Sequence, residues 1–268
     1  MWSFTMRGGQ RMTAPATSIQ TWSAAFTGAY DDECLTLFER IVEAGTYVLD
    51  VGACFGFYTI PLARMAERVD ALVVAIEPIE ANCRLIADNC RANGFGDRVT
   101  ILNHAVGETD GTVTMVVETA LGGSASVVDL DGTDVAGAQV VHVSVEIRPI
   151  DHLELPPQLQ SRRCSAMKID VEGFELAALL GAGAFVARHR PVIIGEFSGE
   201  WLRARGLERR DVVSWAGGVG YECFRLEGVR RRRFSAVTEA ALLPAHDVAD
   251  DVDGELVLIP AESVHKYL

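Results

Sequence analysis

Charged residues gather where two apolar runs of the sequence end. The run 165–170 carries Lys168 and ends on Asp170, Glu172 follows two residues later, and Glu196 ends a second run. Open α/β sheets assemble their sites at the carboxyl ends of parallel strands. We therefore interpret Asp170 or Glu172 as a general base, with Glu196 as a second candidate for that role or for binding a substrate hydroxyl. Lys168 shares a strand face with Asp170. It is either a further catalytic group or the ion-pair partner that a buried carboxylate requires.

A glycine-containing turn and a later acidic residue indicate a nucleoside site. Asp50 lies in the apolar run 47–51, which is followed by Gly52, Cys54 and Gly56, and Glu77 closes the next run. That spacing is typical of an acid that binds a ribose. A dinucleotide diphosphate would require a glycine where Cys54 stands, and no Lys or Arg is nearby. An acidic site suits a cationic cofactor, so the pattern favours S-adenosylmethionine, although glycines after a buried strand also serve close packing alone.

The carboxylates also raise the question of a metal ion. Asp170, Glu172 and Glu196 offer the oxygen ligands that Mg²⁺ prefers, and a divalent ion would lower the pKa of an acceptor hydroxyl. No histidine joins them by spacing. We therefore assign no metal ligands and favour simple base catalysis, with Mg²⁺ as the less favoured alternative.

Apolar runs alternate with segments of helical period. The runs occupy 47–51, 71–76 and 99–102, and helical spacing occupies 57–68 and 80–92. The pattern resumes at 165–170, a helix near 174–180 and 191–196, and two more strand candidates lie at 221–226 and 255–259. Strands that are apolar on both faces and separated by helices predict a doubly wound, Rossmann-like α/β sheet that is mostly parallel.

A β excursion is predicted after the third strand, because alternating residues in 112–117 face a second β-like run at 140–147. The Gly/Ser loop 121–126 between them is either a functional lid or disorder. In the lid interpretation, the hydroxyls of Ser124 and Ser126 help to bind cofactor or acceptor. The arginine run 230–233 is typical of a solvated hairpin turn rather than an anion site.

Length and composition indicate a folded protein with one large domain. The chain has 268 residues, of which 49% are hydrophobic and 23% are charged. We divide it into an N-terminal tail and helical lead-in, 1–45, and a domain, 46–268. The stretch through Ser18 is expected to be a mobile tail.

Net charge and cysteine content restrict the binding partners and the cellular compartment that we expect. The formal net charge of −13 disfavours nucleic acid as a partner. The six cysteines are scattered without a CxxC pair, which favours a reducing cytoplasm. No run approaches the roughly 20 apolar residues that a membrane span requires.

Five motifs together resemble the FkbM-type methyltransferases. They are the segments 48–58 and 76–78, Ala105-Val106-Gly107 with Gly111 downstream, Ser124-Ala125-Ser126, and above all the segment 168–175, which reads Lys-Ile-Asp-Val-Glu-Gly-Phe-Glu. The resemblance extends over about 48–197. One departure is Cys54, where the family usually has Asn, so that a polar contact to the methionine part of the cofactor is missing or replaced by backbone.

The resemblance implies a class I methyltransferase that uses S-adenosylmethionine, and it implies roles for individual residues. Glu77 would accept bonds from both ribose hydroxyls, and His104 would contact the adenine, although a lone histidine after a strand is commonly a surface residue. The glycines would let the cofactor approach the chain, and Asp50 would act on its amino end directly or through water. The expected cofactor-binding residues are Asp50, Gly52, Cys54, Gly56, Glu77, Pro78, His104, Ser126 and Asp170.

We therefore expect an O-methyltransferase that acts on a hydroxyl of a small natural product, sugar or glycan. A homo-oligomer is one assembly that we consider for it. An N-methyltransferase on the same scaffold and a non-catalytic nucleoside-binding module are the alternatives. A nicotinamide oxidoreductase is disfavoured by Cys54 and by the lack of a recognisable hydride-handling group.

Overall fold

The computed structural model describes residues 1–118, 125–127, 140–230, 237–245 and 255–268. Most of the Gly/Ser loop, including Ser124, lies outside the described residues, as do residues 231–236 of the arginine run and its surroundings.

The N-terminal segment is folded, and the prediction of a mobile tail through Ser18 is wrong. Strands β1 (Trp2–Thr5) and β2 (Arg11–Ala14) form an antiparallel hairpin, and helices α1 (Ile19–Thr27) and α2 (Asp32–Ile41) follow. Met12 and Ala14 alternate with exposed or half-buried neighbours and are themselves buried. This short alternation buries one face of the hairpin, which the composition of the segment concealed.

The remaining elements include those predicted from the apolar runs and the helical spacing, with similar bounds, and others that were not predicted. The strands are β3 (Tyr47–Val51), β4 (Leu72–Ile76), β5 (Val99–Leu102), β6 (Ala105–Val106), β7 (Gly111–Glu118), β8 (Ala125–Val127), β9 (Val140–Arg148), β10 (Cys164–Ile169), β11 (Val192–Gly195), β12 (Tyr221–Arg230), β13 (Val237–Pro244) and β14 (Leu256–Pro260). The helices are α3 (Thr59–Val69), α4 (Glu80–Asn93), α5 (Pro157–Gln160), α6 (Glu175–Leu180), α7 (Gly183–His189), α8 (Gly199–Ala204) and α9 (Arg209–Gly218), with short 3₁₀ turns at Ile150–His152 and Ala261–Lys266.

The central sheet has eight strands in the order β13-β12-β14-β11-β10-β3-β4-β5. The five strands from β11 to β5 are parallel, and β14, β12 and β13 add antiparallel pairs at one edge. The α/β class, the mostly parallel core and the two late strands are thereby confirmed. Strands β6, β8 and β13 and helices α5, α7, α8 and α9 were not predicted.

The strand order reverses between β3 and β10. From β3 the chain proceeds outward through β4 and β5, and it then returns to place β10 on the other side of β3. Such a reversal opens a crevice at the carboxyl ends of the two central strands.

The predicted β excursion forms a sheet of its own. Strand β7 pairs with β9 and β8 in an antiparallel manner, and β6 joins β9 in parallel. Met115 of β7 is buried and lines the crevice, so this small sheet forms part of the crevice wall.

Two asparagine side chains attach the hairpin to helix α4. Oδ1 of Asn89 accepts from the backbone N–H of Thr13 at 2.8 Å, and its Nδ2 donates to the Thr13 carbonyl at 2.9 Å. Asn93, one turn later, makes the same pair of bonds with Arg11 at 2.8 and 2.7 Å. The two amides thus act as a partner strand for β2. Asn89 also donates to the carbonyl of Phe55 at 3.3 Å, which connects the hairpin to the turn after β3.

Among the described residues, no helix combines the length and apolar character needed to cross a bilayer.

Asn89→Ala should reduce the free energy of unfolding by about 1–3 kcal/mol, because Thr13 would keep a part-buried N–H and carbonyl without partners. Asn93→Ala is the matched control, since the Arg11 groups are exposed and can bond water, and its loss should stay below about 0.5 kcal/mol. Urea unfolding of both variants measures the difference, and equal losses would contradict the role assigned to Asn89.

Candidate active site

A cavity opens at the crevice between β3 and β10. Its empty space, including the open mouth, is about 1060 Å³. Four carboxylates line it, Glu77, Asp170, Glu172 and Glu196, and no Lys or Arg is among the described lining residues. The cavity therefore favours a positively charged ligand.

Gly52 is required where β3 meets the end of β10. Its φ is +83°, and a Cβ at this position would lie 1.8 Å from the carbonyl oxygen of Asp170. The backbone N–H of Asp170 donates to the carbonyl of Val51 at 2.9 Å. The glycine therefore serves close approach of two backbones, and this approach sets the floor of the cavity.

Glu77 is buried and organises the rim on the β4 side. Its Oε2 accepts from the backbone N–H of Cys54 at 2.8 Å, and its Oε1 accepts from the N–H of Ile79 at 2.9 Å and from Nδ2 of Asn82 at 3.2 Å. Burial raises the pKa of Glu77 to about 7, although these bonds oppose the rise. A carboxylate has about four acceptor sites, so Oε2 retains one site for a ligand hydroxyl.

Cys54 and His104 both border the cavity. Cys54 has a φ of +49°, and its backbone N–H, not its thiol, makes the polar contact to Glu77. His104 is 8% exposed, and its Nδ1 lies 2.9 Å from the carbonyl of Ala105. Because a carbonyl only accepts, Nδ1 carries the proton, and Nε2 is left for another partner. His104 is thus a buried wall residue, not a surface histidine.

Asp170 extends into the cavity from the end of β10. Its side chain is 27% exposed, and its Oδ2 lies 3.7 Å from Nζ of Lys168. The side chain of Lys168 has no exposed surface, and its Nζ bonds Oε1 of Glu255 at 3.0 Å. Asp170 therefore borders the cavity while its Oδ2 lies toward a buried ammonium.

Glu172 occupies a turn that Glu175 stabilises from below. Oε1 of Glu175 accepts from the backbone N–H groups of Val171 and Gly173 at 3.1 and 3.0 Å. This holds Glu172 at a φ of +50°, a conformation that L residues adopt only when their surroundings enforce it. Burial, together with the nearby carboxylates of Asp170 and Glu196, raises the pKa of Glu172 to about 7.

The structure brings most of the predicted site residues together. The cavity is lined by Gly52, Cys54, Glu77, Pro78, His104, Asp170, Glu172 and Glu196. Ser126 belongs to β8, and its side chain is outside the described part of the chain.

Three predicted residues do not line the cavity. Asp50 is buried below it and accepts from the Thr59 hydroxyl at 2.5 Å, so a direct contact with a ligand is not supported. Burial raises the pKa of Asp50 to about 6. Gly56 closes the turn at a φ of +88° without reaching the cavity. Lys168 is a buried ion-pair partner, as the alternative interpretation of its charge required.

Sequence reasoning missed lining residues from the N-terminal lead-in. Gln20 of α1 and Tyr30, which precedes α2, both border the cavity. The Tyr30 ring stacks on Phe57 with centroids 4.8 Å apart and meets Tyr58 edge to face at 5.5 Å. The pair Phe57 and Tyr58 directly after the glycine turn was a usable signal, whereas nothing in the sequence connected Gln20 or Tyr30 to the site.

The cavity carboxylates do not form a compact metal-binding group. Within the described ranges, one group of three ligating side chains has its donor atoms within 4.8 Å of one another, and it consists of Asp31, Cys34 and Glu255. The Lys168 ammonium already lies at Glu255 in this cluster.

The family model for the methyltransferase FkbM domain matches residues 50–223. This is more than half of the chain and contains both the glycine turn and the turn after β10. The chain therefore belongs to the FkbM methyltransferase family.

Comparison with solved structures gives three examples of similar chains. The methyltransferase FkbM from Methylobacillus flagellatus KT is 17% identical with a TM-score of 0.48, and the match covers 87% of this chain and 47% of that one. This chain thus spans about half the length of that relative. Cofactor-bound Rv0187 from MTB is 16% identical (TM-score 0.48, covering 92% and 84%), and a SAM-dependent methyltransferase from Aquifex aeolicus is 14% identical (0.46, 88% and 92%). No curated protein matches the chain.

Gly52→Ala should cost about 4 kcal/mol or more of unfolding free energy, because the added methyl group would displace the Asp170 carbonyl. Gly45→Ala is the matched control, since Gly45 has a φ of +70° with nothing within 4 Å of the added Cβ, and it should lose only about 1–2 kcal/mol. Denaturant unfolding compares the two, and similar losses would show that the close approach at Gly52 is not limiting.

Proposed function

We propose that this protein is an S-adenosylmethionine-dependent O-methyltransferase that acts on a hydroxyl of a small natural product, sugar or glycan. The observation that carries the proposal is the cavity at the strand-order reversal, with buried Glu77 at one rim and Asp170 and Glu172 at the other. The family membership supports methyl transfer, and the choice of oxygen as the acceptor rests on the site chemistry.

The donor set fits a cationic nucleoside cofactor. Glu77 keeps an acceptor site at Oε2 for a ribose hydroxyl, next to the wall formed by His104 and Pro78. The described lining has no Lys or Arg to neutralise a diphosphate, which disfavours a dinucleotide. When bound, S-adenosylmethionine supplies a methyl group on a sulfonium, which becomes a neutral thioether once the methyl group has moved to the acceptor.

Asp170 is the group best placed to accept the proton of an acceptor hydroxyl. An alcohol is a poor nucleophile at neutral pH, and a positioned base increases its reactivity. In the proposed mechanism, Oδ1 of Asp170 takes the proton while Oδ2 faces the Lys168 ammonium, 3.7 Å away. Glu172 and Glu196 would bind other polar groups of the acceptor, and the aromatic wall of Tyr30 and Phe57 would exclude water. Among the described residues, Asp170, Glu172 and Glu196 do not form a group whose donor atoms all lie within 4.8 Å of one another, so base catalysis is preferred to a Mg²⁺ site.

The proposed setting is the reducing cytoplasm. All six cysteines are free, and four of them are buried, which agrees with a compartment where structural disulfides are rare.

Glu77→Gln should weaken binding of S-adenosylmethionine by about 1–3 kcal/mol. The Glu77 carboxylate accepts its hydrogen bonds on two oxygens, whereas the glutamine amide has only one oxygen that can accept. Titration calorimetry with S-adenosylmethionine and S-adenosylhomocysteine measures the loss. Glu80→Gln is the control and should bind normally, because Glu80 is exposed at the start of α4 and does not line the cavity. Unchanged affinity in Glu77→Gln would disprove the assignment of Glu77, and no binding to the unsubstituted protein would disprove the proposed function.

Asp170→Asn should lower turnover more than cofactor affinity if Asp170 is the base. The assay offers methyl-labelled S-adenosylmethionine with a panel of hydroxyl and amine acceptors, and it identifies the methylated atom. Transfer to amines alone would replace O-methylation by N-methylation. Equal losses of turnover and cofactor affinity would assign Asp170 to cofactor binding.

A further inference from the structure

A buried ion pair lies directly behind the cavity wall. Nζ of Lys168 is 3.0 Å from Oε1 of Glu255 and 3.7 Å from Oδ2 of Asp170. Of these three side chains, Asp170 borders the cavity. Glu255 is the residue directly before β14. A buried ammonium requires anionic partners, and here a catalytic candidate and a distant residue share one ammonium.

Lys168 interacts with titratable groups of several neighbouring elements besides Glu255 and Asp170. They are Asp50 from β3, Tyr30 and Asp31 before α2, Cys34 at the start of α2, and Tyr58, whose ring centroid lies 4.9 Å from Nζ. Asp50 accepts from Thr59, and Asp31 accepts from the Tyr58 hydroxyl. Burial alone would lower the pKa of Lys168, but the carboxylates, with Glu255 foremost, hold it well above its ordinary value. The ammonium therefore stays charged.

Asp170 has a different set of neighbours. It is faced by Glu172 and Glu175 from its own turn, by Cys54 and Tyr30 across the cavity, and by Asp50 from the adjacent strand. All of these are acidic or neutral. Within the described part of the chain, the ion pairs give Asp170 one cationic partner, Lys168.

We propose that Glu255 is a positioning residue of the active site, which sets through Lys168 how strongly Asp170 is paired and therefore how readily Asp170 takes a proton. This inference rests on the proposed role of Asp170 as the base. The 3.0 Å contact is a charge-assisted hydrogen bond, whereas the 3.7 Å contact is an ion pair beyond hydrogen-bond distance. Glu255 thus holds the ammonium closer to β14 than to Asp170.

Removal of the two partners should have effects of opposite sign. In Glu255→Gln, Lys168 would turn to Asp170 and stabilise its carboxylate, so Asp170 would take up its proton at lower pH. In Lys168→Met, Asp170 would lose its cation and remain beside Glu255, so it would take up its proton at higher pH. A merely structural role would reduce stability in both variants without moving these midpoints apart.

The experiment is a pH titration of the full chain, labelled with carbon-13 aspartate and followed by NMR. The Asp170 signal is assigned by its absence in Asp170→Asn. Relative to the unsubstituted protein, the Asp170 midpoint should fall by about 1 pH unit in Glu255→Gln and rise by about 1 pH unit in Lys168→Met. Glu262→Gln is the control, because it breaks a comparable pair, with Arg190 at 2.8 Å, on the exposed surface, and its midpoint should not move.

Midpoints that coincide with the unsubstituted protein, or that move in the same direction, would overturn the proposal. If Lys168→Met does not fold, the downward shift in Glu255→Gln decides, since glutamine preserves the volume of the side chain. Calorimetric titration of the same samples with S-adenosylmethionine separates the two questions. Opposite shifts in a protein that does not bind S-adenosylmethionine would disprove the proposed function and leave the electrostatic coupling established.

Discussion

The close approach of the β3 and β10 ends is the constraint on which the site depends. At the reversal of strand order the chain continues from β3 toward β4 on one side and from β10 toward β11 on the other. There is no room for a side chain between the Gly52 Cα and the Asp170 carbonyl. This contact places the turn that carries Cys54 opposite the turn that carries Glu172. The cavity between the turns follows from the topology, and the loops then supply its chemistry.

Burial and charge act against each other throughout the site. Burial raises the pKa of Glu77, Glu172 and Asp50. Backbone N–H donors oppose this rise at Glu77, and the Thr59 hydroxyl and Lys168 oppose it at Asp50, whereas neighbouring carboxylates add to it at Glu172. A cationic ligand would add further compensation, so the energetic cost of assembling an acidic cavity is matched to the charge of what the cavity is proposed to bind.

The sheet and most of its site residues could be predicted from the sequence because short-range patterns determine them. Runs of Val, Ile and Leu located the parallel strands, and the position of Glu77 and Asp170 directly after two such runs located the cavity. Asp50 was misplaced because alternation along a strand assigns a face but does not show how deep a side chain lies. Lys168 had the same ambiguity, which its partner Glu255 resolves from 87 residues away. The hairpin and Tyr30 could not be foreseen, since their contribution depends on contacts with α4 and Phe57 that leave no local pattern.

The segment that the family model matches does not contain every residue that builds the cavity and its supports. Residues 50–223 contain the glycine turn and the carboxylates, but Gln20 and Tyr30 enter the cavity wall from before this segment, and Glu255 supports Lys168 from after it. A chimera that transplants only the matched core would lack Gln20 and Tyr30 in the cavity wall, and Lys168 would be buried without its 3.0 Å hydrogen bond to Glu255. A chimera built from this core should therefore also include the segments that precede and follow it.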